Sequence, residues 1–145
     1  DVLTTKKKNE KTIAFGNEKI RYLTVNKKYL FEFFNEVSEQ YTMNMASLEK
    51  TIIDSLYFDL APWSVIIQAI KTGKEEISLD KIKTICLKLK NKQFLKKIGI
   101  VFDSLGYDCY KHFKKQLDYN PLIMDKKLCG WLDQSKFKKW GVKCR

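Results

Sequence analysis

The chain has 145 residues, of which 44% are hydrophobic and 13% aromatic, and its 28 Lys and Arg residues outnumber its 17 Asp and Glu residues to give a formal net charge of +11. This length and apolar content predict one folded domain, and the lack of a long apolar run excludes a membrane-spanning helix. The charge favours a negatively charged partner, although a lysine-rich solvated surface would have the same composition.

The N-terminal segment predicts short strands. The β-rich runs "KTIAF" and "KIRYLTV" flank Gly16-Asn17-Glu18 and are typical of a hairpin. The opening residues "DVLTT" can add a third strand, with the basic stretch "KKKNE" as a turn or exposed loop between them.

From Asn26 onward the apolar spacing changes to that of a helix. Leu30, Phe31, Phe34 and Val37 in "NKKYLFEFFNEV" lie at helical intervals, with Asn26 as the predicted cap. A polar loop and a second helix are predicted to follow.

The second helix is predicted in "MASLEKTIIDSLYFD", capped by Ser47, with Leu48, Ile52, Ile53 and Leu56 on its apolar face. Glu49 falls in the first turn, where unpaired N–H groups favour a carboxylate, so a structural role is favoured over catalysis. Lys50 and Asp54 are predicted to form a weak pair on the opposite side, because their order opposes the helix dipole.

Four further elements are predicted in the rest of the chain. Pro62 can begin a helix that Gly73 ends, Ser78 can cap the next, and Asn91 can open a longer one that stops at Gly106. A short helix near residues 108–118 is the last of them.

The C-terminal tail is predicted to be extended. It contains a candidate strand, "PLIM", and three aromatic anchors that pack back, Trp131, Phe137 and Trp140. The predicted fold is therefore α+β, with short antiparallel strands at the N-terminus, a bundle of four to five helices and an extended tail.

The four cysteines show no metal-site spacing. Cys86, Cys109, Cys129 and Cys144 form no C-x-x-C pair, and His112 is the single histidine. Free thiols in a reducing cytoplasm are therefore favoured over zinc ligands or disulfides. No metal and no cofactor are expected.

Charge is segregated along the chain. The stretch from Phe31 to Trp63 holds six acids and one lysine, whereas that from Lys81 to Gly99 holds seven lysines and no acid. Lysine is a point charge that suits phosphates or carboxylates and does not read bases. The predicted contact residues for nucleic acid or an acidic partner are Lys81, Lys83, Lys88, Lys90, Lys92, Lys96, Lys97, Lys111, Lys114 and Lys115.

Enzyme signatures are weak in this sequence. A nuclease would need converging carboxylates, and the one acid-x-Lys match is Asp125-Lys126-Lys127, seven residues after Asp118. Cys109 and His112 share a helix face but make a poor nucleophile pair, and there is no Gly-rich phosphate loop or G-x-S-x-G motif. A non-enzymatic protein is predicted, with a small nuclease as the alternative.

Four phrases in order resemble the C-terminal domain of AbiEi-type antitoxins and transcriptional regulators of type IV toxin–antitoxin systems. They are "IRYLTVNKKYLFEFF", "MNMASLEKTIIDSLYF", "LDKIKTICLKLKNKQFLKKIGIVFDSLGY" and "NPLIMDKKLCGWLDQSKFKKWGVK". The resemblance covers nearly the whole chain and rests on the "ASLEKTIID" helix, on "LKKIGIVFDSLG" and on "KKWGVK".

The resemblance implies a function without catalytic residues. It implies a cytoplasmic domain over residues 1–145 that opposes a nucleotidyltransferase toxin, or assists DNA binding by backbone contacts beside an N-terminal winged helix-turn-helix. The start at Asp1 leads us to expect a fragment that lacks that winged helix. A plain interaction domain that uses acidic helices around Glu32, Glu36 and Glu39 is a further alternative.

Overall fold

The computed structural model describes residues 1–6 and 12–145, apart from the side chain of Phe15, and confirms the α+β class, with strands first and helices after them. The chain divides into two units, residues 1–47 and 48–145, within the span predicted as one domain. Beyond Lys6, the loop predicted in "KKKNE" lies outside the described residues.

The first unit contains the predicted hairpin and the third strand. Its strands are β1 (Val2–Thr4), β2 (Thr12–Phe15) and β3 (Glu18–Thr24), with β3 central, antiparallel to β2 and parallel to β1. Gly16 in the two-residue turn has φ +60°, a conformation that glycine adopts without strain. Arg21 holds β1 to β3 through a two-pronged ion pair with Asp1, at 2.8 and 2.6 Å.

The prediction of a helix after Asn26 is wrong. Asn26 does cap, but only a 3-10 turn over Lys27–Tyr29, and the chain then forms a second hairpin from β4 (Phe33–Val37) and β5 (Thr42–Ala46). Glu32 lies between the 3-10 turn and this hairpin, and its φ of +56° does not occur in a right-handed helix. Aromatic and β-branched residues favour strands, and this preference outweighed apolar intervals that suit either structure.

The second unit holds the helices. They are α1 (Leu48–Tyr57), α2 (Trp63–Thr72), α3 (Leu79–Lys88), α4 (Lys92–Ser104), α5 (Cys109–Phe113), α6 (Lys126–Cys129) and α7 (Phe137–Trp140). 3-10 turns follow α5 at Lys114–Gln116 and precede α7 at Gln134–Lys136. Two short parallel strands, β6 (Leu122–Met124) and β7 (Val142–Cys144), pair in the tail.

The helix boundaries follow the local signals closely. The Ser78 and Asn91 side chains accept hydrogen bonds from the N–H groups of Lys81 and Phe94, as expected of caps. Gly73 ends α2, and Pro62 lies one residue before its first turn. The second predicted helix begins where expected, because α1 starts at Leu48, directly after the predicted cap Ser47, and residues 42–46 before it form β5.

The helical core lies where α4 meets its neighbours. Ile82, Ile98 and Phe102 are fully buried, as the apolar stripes of α3 and α4 predict. Trp140 from α7 lies against Gly99, where an added Cβ would come within 2.2 Å of the indole ring. Its Nε1 donates to Asp103 Oδ2 at 3.0 Å, so the indole is both packed and hydrogen-bonded.

The prediction of a weak, outward-facing pair on α1 is wrong. Lys50 and Asp54 are only 2% and 6% exposed, and the Lys50 ammonium contacts both carboxylate oxygens of Asp54. Burial raises the pKa of Asp54, while the hydrogen bond and charge of Lys50 lower it, and the net shift is upward. α1 packs against both α2 and α3, and the Lys50–Asp54 pair is buried.

The tail confirms the predicted strand "PLIM" and the anchor Trp140, which is 1% exposed. Trp131 is not an anchor, because half of its side chain is exposed, and Phe137 is partly buried. Within the part of the chain that the structure describes, no helix is both long and apolar enough to cross a bilayer.

The expectation of four free thiols is wrong for one pair. Cys129 and Cys144 form a disulfide that links α6 to β7, whereas Cys86 and Cys109 are free and buried. The two disulfide partners are 15 residues apart, and only the parallel pairing of β6 with β7 brings them together. No sequence spacing indicates such a contact.

A thiol titration checks this pattern. We expect no reaction with Ellman's reagent in the native protein at neutral pH, two reactive thiols after unfolding, and four after unfolding with reductant. Burial raises the pKa of Cys86, and it raises that of Cys109 to about 12, so both remain protonated and inaccessible. Four reactive thiols without reductant would show that the disulfide does not form.

Candidate anion-binding surface

The ten predicted contact lysines lie on four consecutive segments of the second unit. Three belong to α3, one to the α3–α4 link, three to α4, and three to α5 and the 3-10 turn after it. The structure divides them into lysines that already have a partner and lysines that do not.

Lys96 is not a surface residue, and its assignment as a contact is wrong. It is 2% exposed, and its Nζ donates to Asp118 O at 3.0 Å and to Asp118 Oδ1 at 3.2 Å, as well as to Asn120 O. Lysine has three donors, and all three are used to hold the segment after the 3-10 turn against α4. The excess of lysines in this part of the sequence predicted an exposed contact, but the later segment around Asp118 covers Lys96.

Three other predicted lysines have protein partners. Lys81 lies 4.0 Å from Glu49 Oε2, and Lys111 pairs with Asp108 at 2.7 Å. Lys97 lies over the Trp63 ring, 4.4 Å from its centroid, and burial lowers the pKa of its ammonium although Asp59 opposes the shift. These three charges are partly neutralised and are therefore weaker candidates for an external anion.

Of the remaining lysines, Lys88 is exposed, and five have no hydrogen bond or ion pair from the side chain to any residue that the structure describes. We call these five the open lysines: Lys83, Lys90, Lys92, Lys114 and Lys115. All are exposed except Lys83, which is partly so. Their charges are the part of the predicted surface that forms no ion pair with a described acid.

Three of the open lysines meet at one cavity. Lys90, Lys92 and Lys115 line a space of about 340 Å³ where the end of α3, the start of α4 and the 3-10 turn after α5 come together. We call it the lysine cavity. Lysines 92 and 115 are far apart in sequence, so only the packing of these segments makes them neighbours.

Glu49 has the structural role that its position suggested, but at another helix. It is 3% exposed, and its Oε1 accepts a hydrogen bond from the backbone N–H of Ser78 at 3.0 Å. Ser78 is the N-cap of α3, so Glu49 stabilises the start of a helix that begins 30 residues later in the chain. A carboxylate occupied in this way is unavailable as a catalytic base.

The carboxylates considered for a nuclease also have other contacts. Asp118 pairs with Lys96 and lies 3.4 Å from Gln93 Nε2, while Asp125 caps α6 by accepting from the Lys127 and Leu128 N–H groups. Asp125 follows β6 instead of lying within it, contrary to the strand position of a restriction-type site. Among residues 1–6 and 12–145, no group of three or more His, Cys, Asp or Glu residues is placed to hold a metal ion.

Cys109 and His112 have separate environments. Cys109 is fully buried, with the raised pKa noted above, whereas the exposed His112 places Nδ1 3.9 Å from Asp80 Oδ1. A nucleophilic cysteine needs a lowered pKa, and burial has the opposite effect here.

The acidic segment of the first unit is not helical. Glu32 precedes β4, Glu36 lies within it, and Glu39 lies in the turn before β5. All three are exposed, so they remain candidates for a protein contact on a hairpin instead of on the predicted helices.

Two features of the cavity were missed from the sequence. Gln116 Oε1 is buried and accepts no hydrogen bond from the described residues, and Lys90 has φ +54°. The segment "LKLKNKQ" joins two helices without a glycine, which is a signal for a non-glycine residue in the left-handed region. No comparable signal exists for Gln116.

Comparison with known proteins identified no relative. No protein-family model matches the chain, and neither the curated proteins nor the solved structures contain a significant match.

Proposed function

We propose that the second unit is a non-enzymatic regulatory domain that binds a polyanion through the open lysines. The resemblance to AbiEi-type antitoxins and regulators suggests two partners, the phosphate backbone of DNA and the acidic surface of a nucleotidyltransferase toxin. The single observation that carries the proposal is a set of five lysines whose side chains form no ion pair or hydrogen bond with the described residues, three of them at one cavity.

The charge type argues for backbone contact without base reading. Bidentate recognition of bases is mainly the work of arginine, and the chain has two arginines, Arg21 and Arg145. Arg21 is paired with Asp1 in the first unit. Binding by lysines alone should therefore be strong at low salt and nearly independent of sequence.

The proposal of a non-enzymatic role is supported by the occupation of the acidic groups. Glu49 holds α3, Asp118 holds Lys96, and Asp125 caps α6. Each carboxylate has a contact that stabilises the fold, which leaves a nuclease without its expected metal ligands.

A salt titration of DNA binding tests this function. We expect log K to fall linearly with log salt for a duplex of arbitrary sequence, and the variant Lys83→Gln/Lys114→Gln to reduce the slope by about two. The melting temperature should hardly change, because neither side chain forms a hydrogen bond or ion pair with the described residues.

The matched control is Lys71→Gln/Lys126→Gln, which removes two exposed lysines outside the predicted surface. It should preserve the slope to within the error of the measurement. Equal effects of the two variants would mean that binding follows net charge alone, and absence of binding to duplex or single strand at low salt would exclude DNA and leave the acidic protein partner.

We also propose a cytoplasmic location, as the resemblance implies. The Cys129–Cys144 disulfide opposes this location, because a reducing cytoplasm keeps most thiols free, and the thiol titration above measures whether the disulfide forms in solution.

A further inference from the structure

The lysine cavity has the size of a small-molecule site. Its volume of about 340 Å³ lies within the roughly 300–1,000 Å³ typical of ligand pockets. Beside the three lysines it is lined by the apolar side chains of Leu87, Leu95 and Leu117. A purely ionic ligand would not use those leucines, so the lining indicates an anion with a partly apolar body.

The electrostatics of the cavity favour an anionic group. Lys90, Lys92 and Lys115 repel one another, and no acid among the described residues pairs with them. The cavity also adjoins the N-terminus of α4, a helix of 13 residues whose first N–H groups add positive potential. A bound phosphate would relieve the repulsion and accept hydrogen bonds from the lysines.

The backbone of Lys90 is a second, independent indication. With φ +54° it has a left-handed conformation just after the end of α3, where glycine is the usual residue. A side chain in this conformation strains the fold, and strained residues occur preferentially at functional sites. The strained residue thus lies at the cavity that the three lysines line.

We infer that the lysine cavity binds a phosphate monoester with a partly apolar body, the chemistry of a nucleoside monophosphate. The same chemistry is offered by a free nucleotide and by the 5′-phosphorylated end of a strand. This site goes beyond the proposed polyanion binding and needs no duplex contact, so either can fail without the other.

Calorimetric titration of the full chain with AMP, adenosine and inorganic phosphate tests the inference. We expect saturable binding of AMP and at least about tenfold weaker binding of the other two, because each lacks one of the recognised parts. A 5′-phosphorylated dinucleotide that binds as AMP does, with a weaker 5′-hydroxyl form, would assign the strand end as a source; binding of AMP alone would assign the free nucleotide.

The variant Lys92→Gln/Lys115→Gln should weaken AMP binding by about tenfold or more for each lysine. The Lys71→Gln/Lys126→Gln variant should leave it unchanged. Lys90→Gly separates binding from folding, since it should raise the melting temperature by removing the strain and still weaken AMP binding.

Three results would overturn the inference. They are no saturable binding of AMP, equal affinity for AMP and inorganic phosphate, and an unchanged affinity for AMP in the Lys92→Gln/Lys115→Gln variant. An unchanged affinity in Lys90→Gly would remove that lysine from the site.

Discussion

Replacement of Lys50 by methionine is expected to lower the free energy of unfolding by about 3 to 5 kcal/mol at neutral pH. The loss is large because Asp54, 6% exposed, would keep a buried charge without a counterion. Urea denaturation of the variant and the wild type measures it.

A double-mutant cycle shows whether the pair itself is responsible. Lys50→Met with Asp54→Leu removes both charges and keeps the apolar volume, and we expect most of the lost stability to return. If the double variant is as unstable as the single one, the effect comes from packing of the lysine chain instead of the unpaired carboxylate.

The pH dependence of the single variant gives a second check. Asp54 has a pKa above its ordinary value of 3.8 in the folded protein, so the stability linked to this group is present below the unfolded pKa and is lost as the pH rises through the folded pKa. Removal of Lys50 removes both effects that lower this pKa and raises it further. The difference in stability between variant and wild type should therefore shrink as the pH falls through the raised pKa, and a constant difference would contradict the assignment.

Replacement of Gly99 by alanine is expected to cost about 3 kcal/mol or more, at or beyond the upper end of ordinary overpacking. An ideal Cβ at this position would lie 2.2 Å from Trp140 Cη2, 2.4 Å from Cζ3 and 2.9 Å from Phe113 Cδ2. The indole is held by its hydrogen bond to Asp103 and by the surrounding core, so it has no room to withdraw. Thermal unfolding and tryptophan fluorescence report the change.

Gly130→Ala is the matched control for that variant. Gly130 has helical dihedral angles, φ −65° and ψ −17°, and an added Cβ would come no closer than 3.5 Å to its nearest neighbour. We expect a gain of about 0.4–1 kcal/mol, because alanine reduces the freedom of the unfolded chain. Similar losses in the two variants would show that Trp140 does not pack against Gly99 as described.

The candidate surface was predictable only in part. The segregation of charge in the sequence predicted Lys90, Lys92 and Lys115 as contacts, and the structure gives their side chains no ion pair with a described acid. The prediction failed for Lys96, because the segment around Asp118 that covers it lies 22 residues away in the chain. The lysines come together at one cavity because of the way α3, α4 and the turn after α5 pack. No local sequence pattern predicts that packing.

The sequence by itself determined the class of the fold and most ends of its later helices. Ser78 and Asn91 cap α3 and α4 because a cap acts on N–H groups a few residues away, and the apolar stripes of those helices face the core because their spacing matches the helical repeat. Such interactions are short in sequence and leave a visible pattern.

Tertiary structure alone decided the rest. It made a hairpin of residues 33–46, buried Lys50 with Asp54, turned Glu49 towards α3, and joined Cys129 to Cys144. The hairpin depends on which strands can pair. The Lys50–Asp54 pair, the Glu49 contact and the disulfide depend on which segments, distant in the chain, pack against these side chains. Burial changes the free energy of a charge or a thiol by several kcal/mol. The sequence on either side of such a residue does not show whether the residue is buried.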